Sequence, residues 1–140
     1  MKAIYQTTAN ATAGRNGVAK TEDGLLNVNL GYPKEMGGAG TATNPEQLFA
    51  AGYAACFSNA ILHVAREKKI AIKTAPVSAT IGIGANSAGG FALSAALAIE
   101  LDLPQEDAVA LVNTAHQVCP YSNAVRNNID VQLTVNNLPL

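Results

Sequence analysis

Asn44-Pro45-Glu46-Gln47-Leu48-Phe49-Ala50-Ala51-Gly52-Tyr53-Ala54-Ala55-Cys56-Phe57-Ser58-Asn59-Ala60-Ile61-Leu62-His63-Val64 is the stretch whose reading decides the fold. Its first residues are those of a helix start. Asn44 can accept a hydrogen bond from a free backbone N–H, and Pro45 suits the first helical position. Glu46 places an anion in the first turn, where the dipole favours it. From Leu48 to Leu62 the helix is apolar on nearly every face, which predicts a helix buried at the centre of the protein. Arg66-Glu67-Lys68-Lys69 returns it to solvent, so the helix is expected to end near Lys69. The uncharged run from Gln47 to Val64 contains Gly52, Ser58, Asn59 and His63 among many alanines. That is too weakly apolar for a membrane span, so a core helix is the expectation.

Outward from this helix, the residues before it read as strands and turns. Lys2–Thr8 has the look of an opening strand, and Ala9–Asn16 is small and polar. Gly14 and Gly17 bracket Arg15 and Asn16. Glu22-Asp23-Gly24 signals a turn, and Leu26, Val28 and Leu30 alternate with Asn27 and Asn29 as a half-buried strand does. Gly37-Gly38-Ala39-Gly40 marks a loop. After the helix, strands are expected near Pro76–Ile83 and Phe91–Leu101, joined by a Gly-, Asn- and Ser-rich hairpin loop from Gly84 to Gly90. Pro104-Gln105-Glu106-Asp107 opens a second helix reaching about Val118. Cys119-Pro120 interrupts it, a short helix follows to Arg126, and Val131, Leu133 and Val135 alternate as a closing strand. This order describes an α+β domain. At 140 residues the chain fits one domain, with residues 1–140 as its expected extent.

Composition narrows the function classes. Apolar residues make up 49% of the chain, enough for a core without disulfide staples, while charged residues make up only 14%. A surface so poor in charge is expected to be partly covered, and a homodimer is the partner this suggests. Net charge is −1, and Lys68-Lys69 is the only adjacent basic pair, which argues against nucleic acid and against an anionic membrane surface. The N-terminal residues carry no signal-peptide apolar core, and the expected location is the cytoplasm.

Only two cysteines occur, and taken alone two cysteines in such a chain are more often small buried hydrophobes than a redox pair. Cys56 falls about the twelfth residue of the long helix, too far along for the N-terminal dipole to acidify it. As a nucleophile it needs a cation brought from elsewhere, because apolar surroundings raise a thiol pKa. Arg15, on its glycine-flanked loop, is the candidate; its plainer reading is a solvated turn residue. Glu46 serves the helix dipole in its plainer reading. About ten residues from Cys56, or roughly 15 Å along a straight helix, it cannot touch that sulfur of the same chain. It can instead hold a guanidinium such as that of Arg15 in a bidentate fork. Cys119, before Pro120 at a helix break, sits where free N–H groups favour a thiolate. A zinc site made with His63 and His116 fails on spacing. Cys56 and His63 lie about 10 Å apart along the helix, far more than two ligands of one tetrahedral zinc can be. No metal is expected.

Asn44-Pro45-Glu46-Gln47-Leu48-Phe49-Ala50-Ala51-Gly52-Tyr53-Ala54-Ala55-Cys56-Phe57, together with His116-Gln117-Val118-Cys119-Pro120-Tyr121-Ser122-Asn123-Ala124, resembles the organic hydroperoxide resistance proteins of the Ohr/OsmC superfamily. The likeness extends to Lys2-Ala3-Ile4-Tyr5, Gly90-Phe91 and Asn128-Ile129-Asp130-Val131. It implies an OsmC-like α+β fold, with long buried helices on curved antiparallel sheets in an intertwined homodimer. It also implies a peroxidase acting on organic hydroperoxides in the response to oxidative stress. Cys56 would be the peroxidatic cysteine, Cys119 the resolving one, Arg15 the activating arginine and Glu46 the residue that holds it. No cofactor is implied, and the electron donor would be a dithiol, a lipoylated protein. Phe49, Tyr53, Phe57 and Phe91 would supply greasy surroundings suited to an alkyl or fatty-acid hydroperoxide. The rivals are the sister OsmC branch, with the same chemistry on other substrates, and a non-catalytic binding module with inert cysteines.

Overall fold

A computed structural model describes residues 1–140, which divide into two compact units, Met1–Leu48 and Phe49–Leu140. The first unit is built on a three-stranded antiparallel sheet in the order β1 (Ala9–Thr12), β2 (Val18–Thr21), β3 (Asn27–Asn29). Ala11 faces Ala19, and Ala19 faces Val28 on the other side. The β1–β2 connection needs left-handed backbone at Ala13 and Gly14, followed by a 3-10 turn over Gly14–Asn16. A Cβ at Gly17 would fall 1.5 Å from the Thr12 carbonyl oxygen, so no other residue closes this turn. Between β2 and β3 the Asp23 carboxylate accepts from the Thr21 hydroxyl at 2.6 Å and the Leu25 amide at 3.0 Å, with Gly24 left-handed.

The expected opening strand does not form: Lys2–Thr8 is exposed, bends at Ile4 and makes a single backbone bond, Thr8 accepting from the Glu22 amide at 3.1 Å, and β1 begins at Ala9. A strand needs a neighbour for its backbone groups as well as suitable side chains, and this chain provides none before Thr8. The helix start is as expected. Asn44 accepts from the Gln47 amide at 2.9 Å, opening α1 (Pro45–Glu67).

In the second unit, β4 (Val77–Ala85) and β5 (Phe91–Ile99) form the expected antiparallel hairpin, from Val77 opposite Ile99 to Ala85 opposite Phe91. Its turn is organised by the Asn86 side chain, which accepts from the Ala88 and Gly90 amides. Next come α2 (Gln105–Val118) and α3 (Pro120–Val125). They carry the chain across to β6 (Val131–Val135), which lies parallel to β5, with Ala95 opposite Val131 and Ile99 opposite Val135. The α+β class therefore holds, but the expectation of wholly antiparallel sheets does not. A helical crossover returns the chain in the direction it left, which makes β5 and β6 parallel. A further two-residue strand, β7 (Leu138–Pro139), folds back on β6 through Asn136-Asn137, both left-handed.

The core of this unit packs Phe57, Ile61 and Val64 of α1 with Leu97 and Ile99 of β5, Leu111, Val112 and Ala115 of α2, and Val135 of β6. Phe57, Ile61, Val112 and Ile99 are wholly shielded from solvent. Each such side chain contributes about 1.5–3 kcal/mol relative to exposure. In the single chain α1 is nonetheless one-sided, contrary to the all-round burial expected from its composition. Tyr53, Phe57, Ile61 and Val64 face the core, while Ala51, Ala55, Asn59 and His63 are exposed. Alanine is neither polar enough to announce an exposed face nor large enough to require a buried one. By length and apolarity α1 could also cross a membrane, but its large side chains are those packed in this core.

Candidate active site

The four candidate residues fall into two pairs. Arg15 and Glu46 belong to the first unit. The 3-10 turn presents Arg15, and the first turn of α1 presents Glu46. The Arg15 Nη1 and Nη2 donate to the two Glu46 oxygens at 2.7 and 2.5 Å, a bidentate fork with both side chains largely shielded, at 22% and 13% exposure. The Arg15 bond holds the Glu46 carboxyl below the usual carboxylate range, and the same bond raises the Arg15 guanidinium. The guanidinium carbon also lies 6.0 Å from the centre of the Tyr32 ring. Arg15 is thus an oriented cation rather than a solvated turn residue, and Glu46 does more than serve the dipole.

Cys56 and Cys119 belong to the second unit. Both are free thiols, and the Cys119 S–H points to the Cys56 sulfur across 3.7 Å. Bonding would require the sulfurs to close to about 2.05 Å, within reach of side-chain rotation and a small backbone shift. Cys119 is fully buried at the junction of α2 and α3, and Cys56 is half-buried. Burial pushes the Cys56 thiol pKa up, the backbone N–H of Tyr121 opposes this by favouring the thiolate, and Cys119 pushes it up further. Cys119 does hold the cap position before α3, with Pro120 first in that helix, but its side chain makes no capping bond. Among the N–H groups of that first turn, the one at Tyr121 favours the Cys56 thiolate. The second unit's own groups, then, raise the Cys56 thiol rather than acidify it.

Aromatic rings surround the sulfurs. Phe49 stacks on Tyr121 with centroids 5.9 Å apart, and Tyr53 lies 5.8 Å from both rings and 6.3 Å from Phe57. Gly52 allows the close approach, since a Cβ there would sit 2.8 Å from the Tyr121 hydroxyl. Phe91, expected among these rings, lies at the hairpin and is 74% exposed.

Sequence reasoning missed Ser122 and the hydroxyl of Tyr53. Ser122 Oγ lies 2.9 Å from Tyr53 Oη and 3.0 Å from His116 Nδ1, so three polar side chains bond in series, Tyr53 and Ser122 wholly buried and His116 half-buried. The signal available was positional, Tyr53 one turn before Cys56 and Ser122 one turn after Cys119. His63, the other histidine, pairs with Glu67 on the exposed face at 3.3 Å. A groove of about 680 Å³ lined by Ala71, Lys73, Thr74, Pro76, Glu100 and Asp102 touches neither cysteine.

Residues 38–134 match the family model of OsmC-like proteins. A Vibrio cholerae protein assigned as an organic hydroperoxide resistance protein, solved with captopril in one of its active sites, superposes with a TM-score of 0.98. It is 72% identical, over 100% of this chain and 97% of that one. The organic hydroperoxide resistance protein of Xanthomonas axonopodis pv. citri is 47% identical over 96% of this chain and 96% of its own length. The structure of OhrB of Bacillus subtilis, an organic hydroperoxide resistance protein, superposes with a TM-score of 0.87 at 41% identity, over 96% of this chain and all of that one. With its fold, its cysteine pair and its Arg–Glu fork beside these relatives, the chain belongs to the OsmC-like family, among the organic hydroperoxide resistance proteins.

Proposed function

We propose that the protein is a thiol peroxidase that reduces organic hydroperoxides to alcohols in the response to oxidative stress. The observation that carries this reading is the pair of free sulfurs 3.7 Å apart, in a chain whose relatives are named for organic hydroperoxide resistance. The Cys56 thiolate attacks the O–O bond, taking one oxygen as a sulfenic acid while the alcohol leaves. Arg15, oriented by Glu46, supplies the cation that Cys56 needs. It lowers the thiol pKa and binds the negative charge developing on the leaving oxygen. Cys119 then condenses with the sulfenic acid, and an external dithiol, a lipoylated protein, reduces the disulfide by exchange. The rings of Phe49, Tyr53, Phe57 and Tyr121 suit an alkyl or fatty-acid substrate. No metal or bound cofactor enters any step.

The working form in this reading is a homodimer in the cytoplasm; the exposed Ala51 and Ala55 of α1 and the exposed Ile4 and Tyr5 near the N-terminus support the dimer. Arg15 acts on Cys56 of its own chain or of the partner. The test is turnover of tert-butyl hydroperoxide with dihydrolipoamide as reductant. Cys56→Ser should abolish it, and Cys119→Ser should allow one oxidation before the protein stalls over-oxidised. Normal turnover by Cys56→Ser would sink the reading, and equal rates with dihydrolipoamide, thioredoxin and glutathione would sink the lipoyl donor.

A further inference from the structure

The two sulfurs are not the only atoms that meet between α1 and α3. One turn away, the same two elements are joined again, by hydroxyls. Tyr53 precedes Cys56 by three positions on α1, and Ser122 follows Cys119 by three positions on α3. Their oxygens lie 2.9 Å apart. Both residues are wholly shielded from solvent, so this bond has no competition from water. Ser122 Oγ also bonds His116 Nδ1 at 3.0 Å, and His116 precedes Cys119 by three positions on α2. The Ser122–His116 bond therefore spans the helix break that holds Cys119. Arg126 spans the same break a second time, donating to the His116 carbonyl at 2.8 Å and to Asn123 Oδ1 at 3.0 Å.

Both ends of the series favour a neutral network. Burial lowers the His116 pKa, and the nearby Arg126 charge lowers it further. Burial keeps the Tyr53 phenol protonated. Tyr53 O–H can then donate to Ser122, and Ser122 O–H to His116 Nδ1. No hydroxyl of the series bonds to either sulfur. What the series fixes is position: α1, α2 and α3 are pinned one turn from the place where Cys56 faces Cys119.

We propose that Tyr53, Ser122 and His116 are positioning residues that hold Cys119 against Cys56, and so decide whether an oxidised Cys56 is resolved or over-oxidised. This rests on the peroxidase reading above. In resolution the Cys119 sulfur attacks the Cys56 sulfenic sulfur. The S–S bond forms, the S–O bond breaks, and the hydroxyl leaves with the Cys119 proton as water. In over-oxidation the sulfenic acid instead takes an oxygen from a second hydroperoxide, giving a sulfinic acid and an alcohol. The first route depends on the distance between two sulfurs on different helices. The second depends only on access to Cys56.

The test is single-turnover oxidation by tert-butyl hydroperoxide, following sulfenic-acid formation, disulfide formation and the mass gain of two oxygen atoms. In Ser122→Ala and Tyr53→Phe, disulfide formation should slow about tenfold, as expected for the loss of one buried bond. The sulfinic share should rise in both, while in Ser122→Ala the first oxidation keeps close to its wild-type rate. That retained first step also reports that the variant is folded, and Tyr53→Phe carries the test if Ser122→Ala does not fold. His116→Ala should behave like Ser122→Ala. His116→Asn, whose amide can take the place of Nδ1, should restore resolution. Wild-type partitioning in both Ser122→Ala and Tyr53→Phe would overturn the proposal while leaving the peroxidase reading intact. A wild-type protein that forms no disulfide at all would remove both.

Discussion

Arg15 grips Glu46 with both terminal nitrogens, at 2.7 and 2.5 Å, joining a glycine-bracketed turn to the first turn of α1. A guanidinium held on two bonds by one carboxylate has its plane and direction fixed, and it keeps donors for a further anion. Removing either partner should therefore be felt at the anion the arginine is meant to meet. Arg15→Ala should slow Cys56 oxidation by about 10²–10³, the range seen on losing one donor to a developing oxyanion. Glu46→Gln, which leaves the cation but loosens its aim, should slow it by about tenfold. Stopped-flow oxidation with tert-butyl hydroperoxide measures both, and an unchanged rate in Arg15→Ala would take Arg15 out of the mechanism.

The same cation should be visible in the thiol itself. Burial and Cys119 raise the Cys56 pKa, with only the Tyr121 amide opposing them. An active wild-type protein must therefore import its acidifying charge. Alkylation rates of Cys56 against pH should give a higher apparent pKa in Arg15→Ala than in wild type. Identical profiles would mean that another group activates the sulfur.

How much of this was legible in the residues follows from how local each feature is. The Asn44 cap, the Asn86 hairpin turn and the Cys119-Pro120 break are set by neighbours within a few positions, and all three stand where the residues put them. Lys2–Thr8 failed as a strand because pairing depends on distant chain, and β7 was missed because two residues carry no alternation to read. The parallel β5–β6 pair was equally hidden, since direction comes from the crossover and not from either strand. At the site, the cysteines, Arg15 and Glu46 announce themselves by residue type. Ser122 does not: a serine is ordinary in any helix, and its bond to Tyr53 crosses 69 positions.

Acid should loosen the fold in two stages. Burial and Arg126 hold His116 below its ordinary value of 6.5, so below that pH the unfolded chain takes up a proton that the folded chain refuses. Stability should therefore fall as pH drops through this region. Glu46, held below its ordinary 4.5 chiefly by the Arg15 bond, contributes stability above that pH, and this is lost as pH falls through its folded-state value. Urea melts between about pH 8 and pH 3 should show both limbs. His116→Asn should flatten the upper limb and Glu46→Gln the lower. A His116→Asn protein with the wild-type slope near pH 6 would show that the histidine is not the group responsible.

The last prediction concerns the exposed side of α1. Ala51, Ala55 and Asn59 leave a flat, nearly uncharged strip on a helix whose other face is fully packed, and Ile4 and Tyr5 are 104% and 74% exposed on a segment with unpaired backbone. Small residues let two helices approach closely, and a segment with free backbone groups can add to another chain's sheet, so a second copy can cover both features. Sedimentation equilibrium should give a dimer for the wild type and a monomer for Ala55→Arg, because a guanidinium on that strip cannot be buried without a partner. The dimer also offers a way to learn which chain's Arg15 serves a given Cys56. Arg15→Ala and Cys56→Ser are each expected to be inactive alone. If Arg15 acts across the dimer, mixing and re-annealing the two pairs an intact Cys56 with an intact Arg15 on the other subunit, and peroxidase activity returns. If Arg15 acts within its own chain, no combination of the two restores a site, and the mixture stays silent.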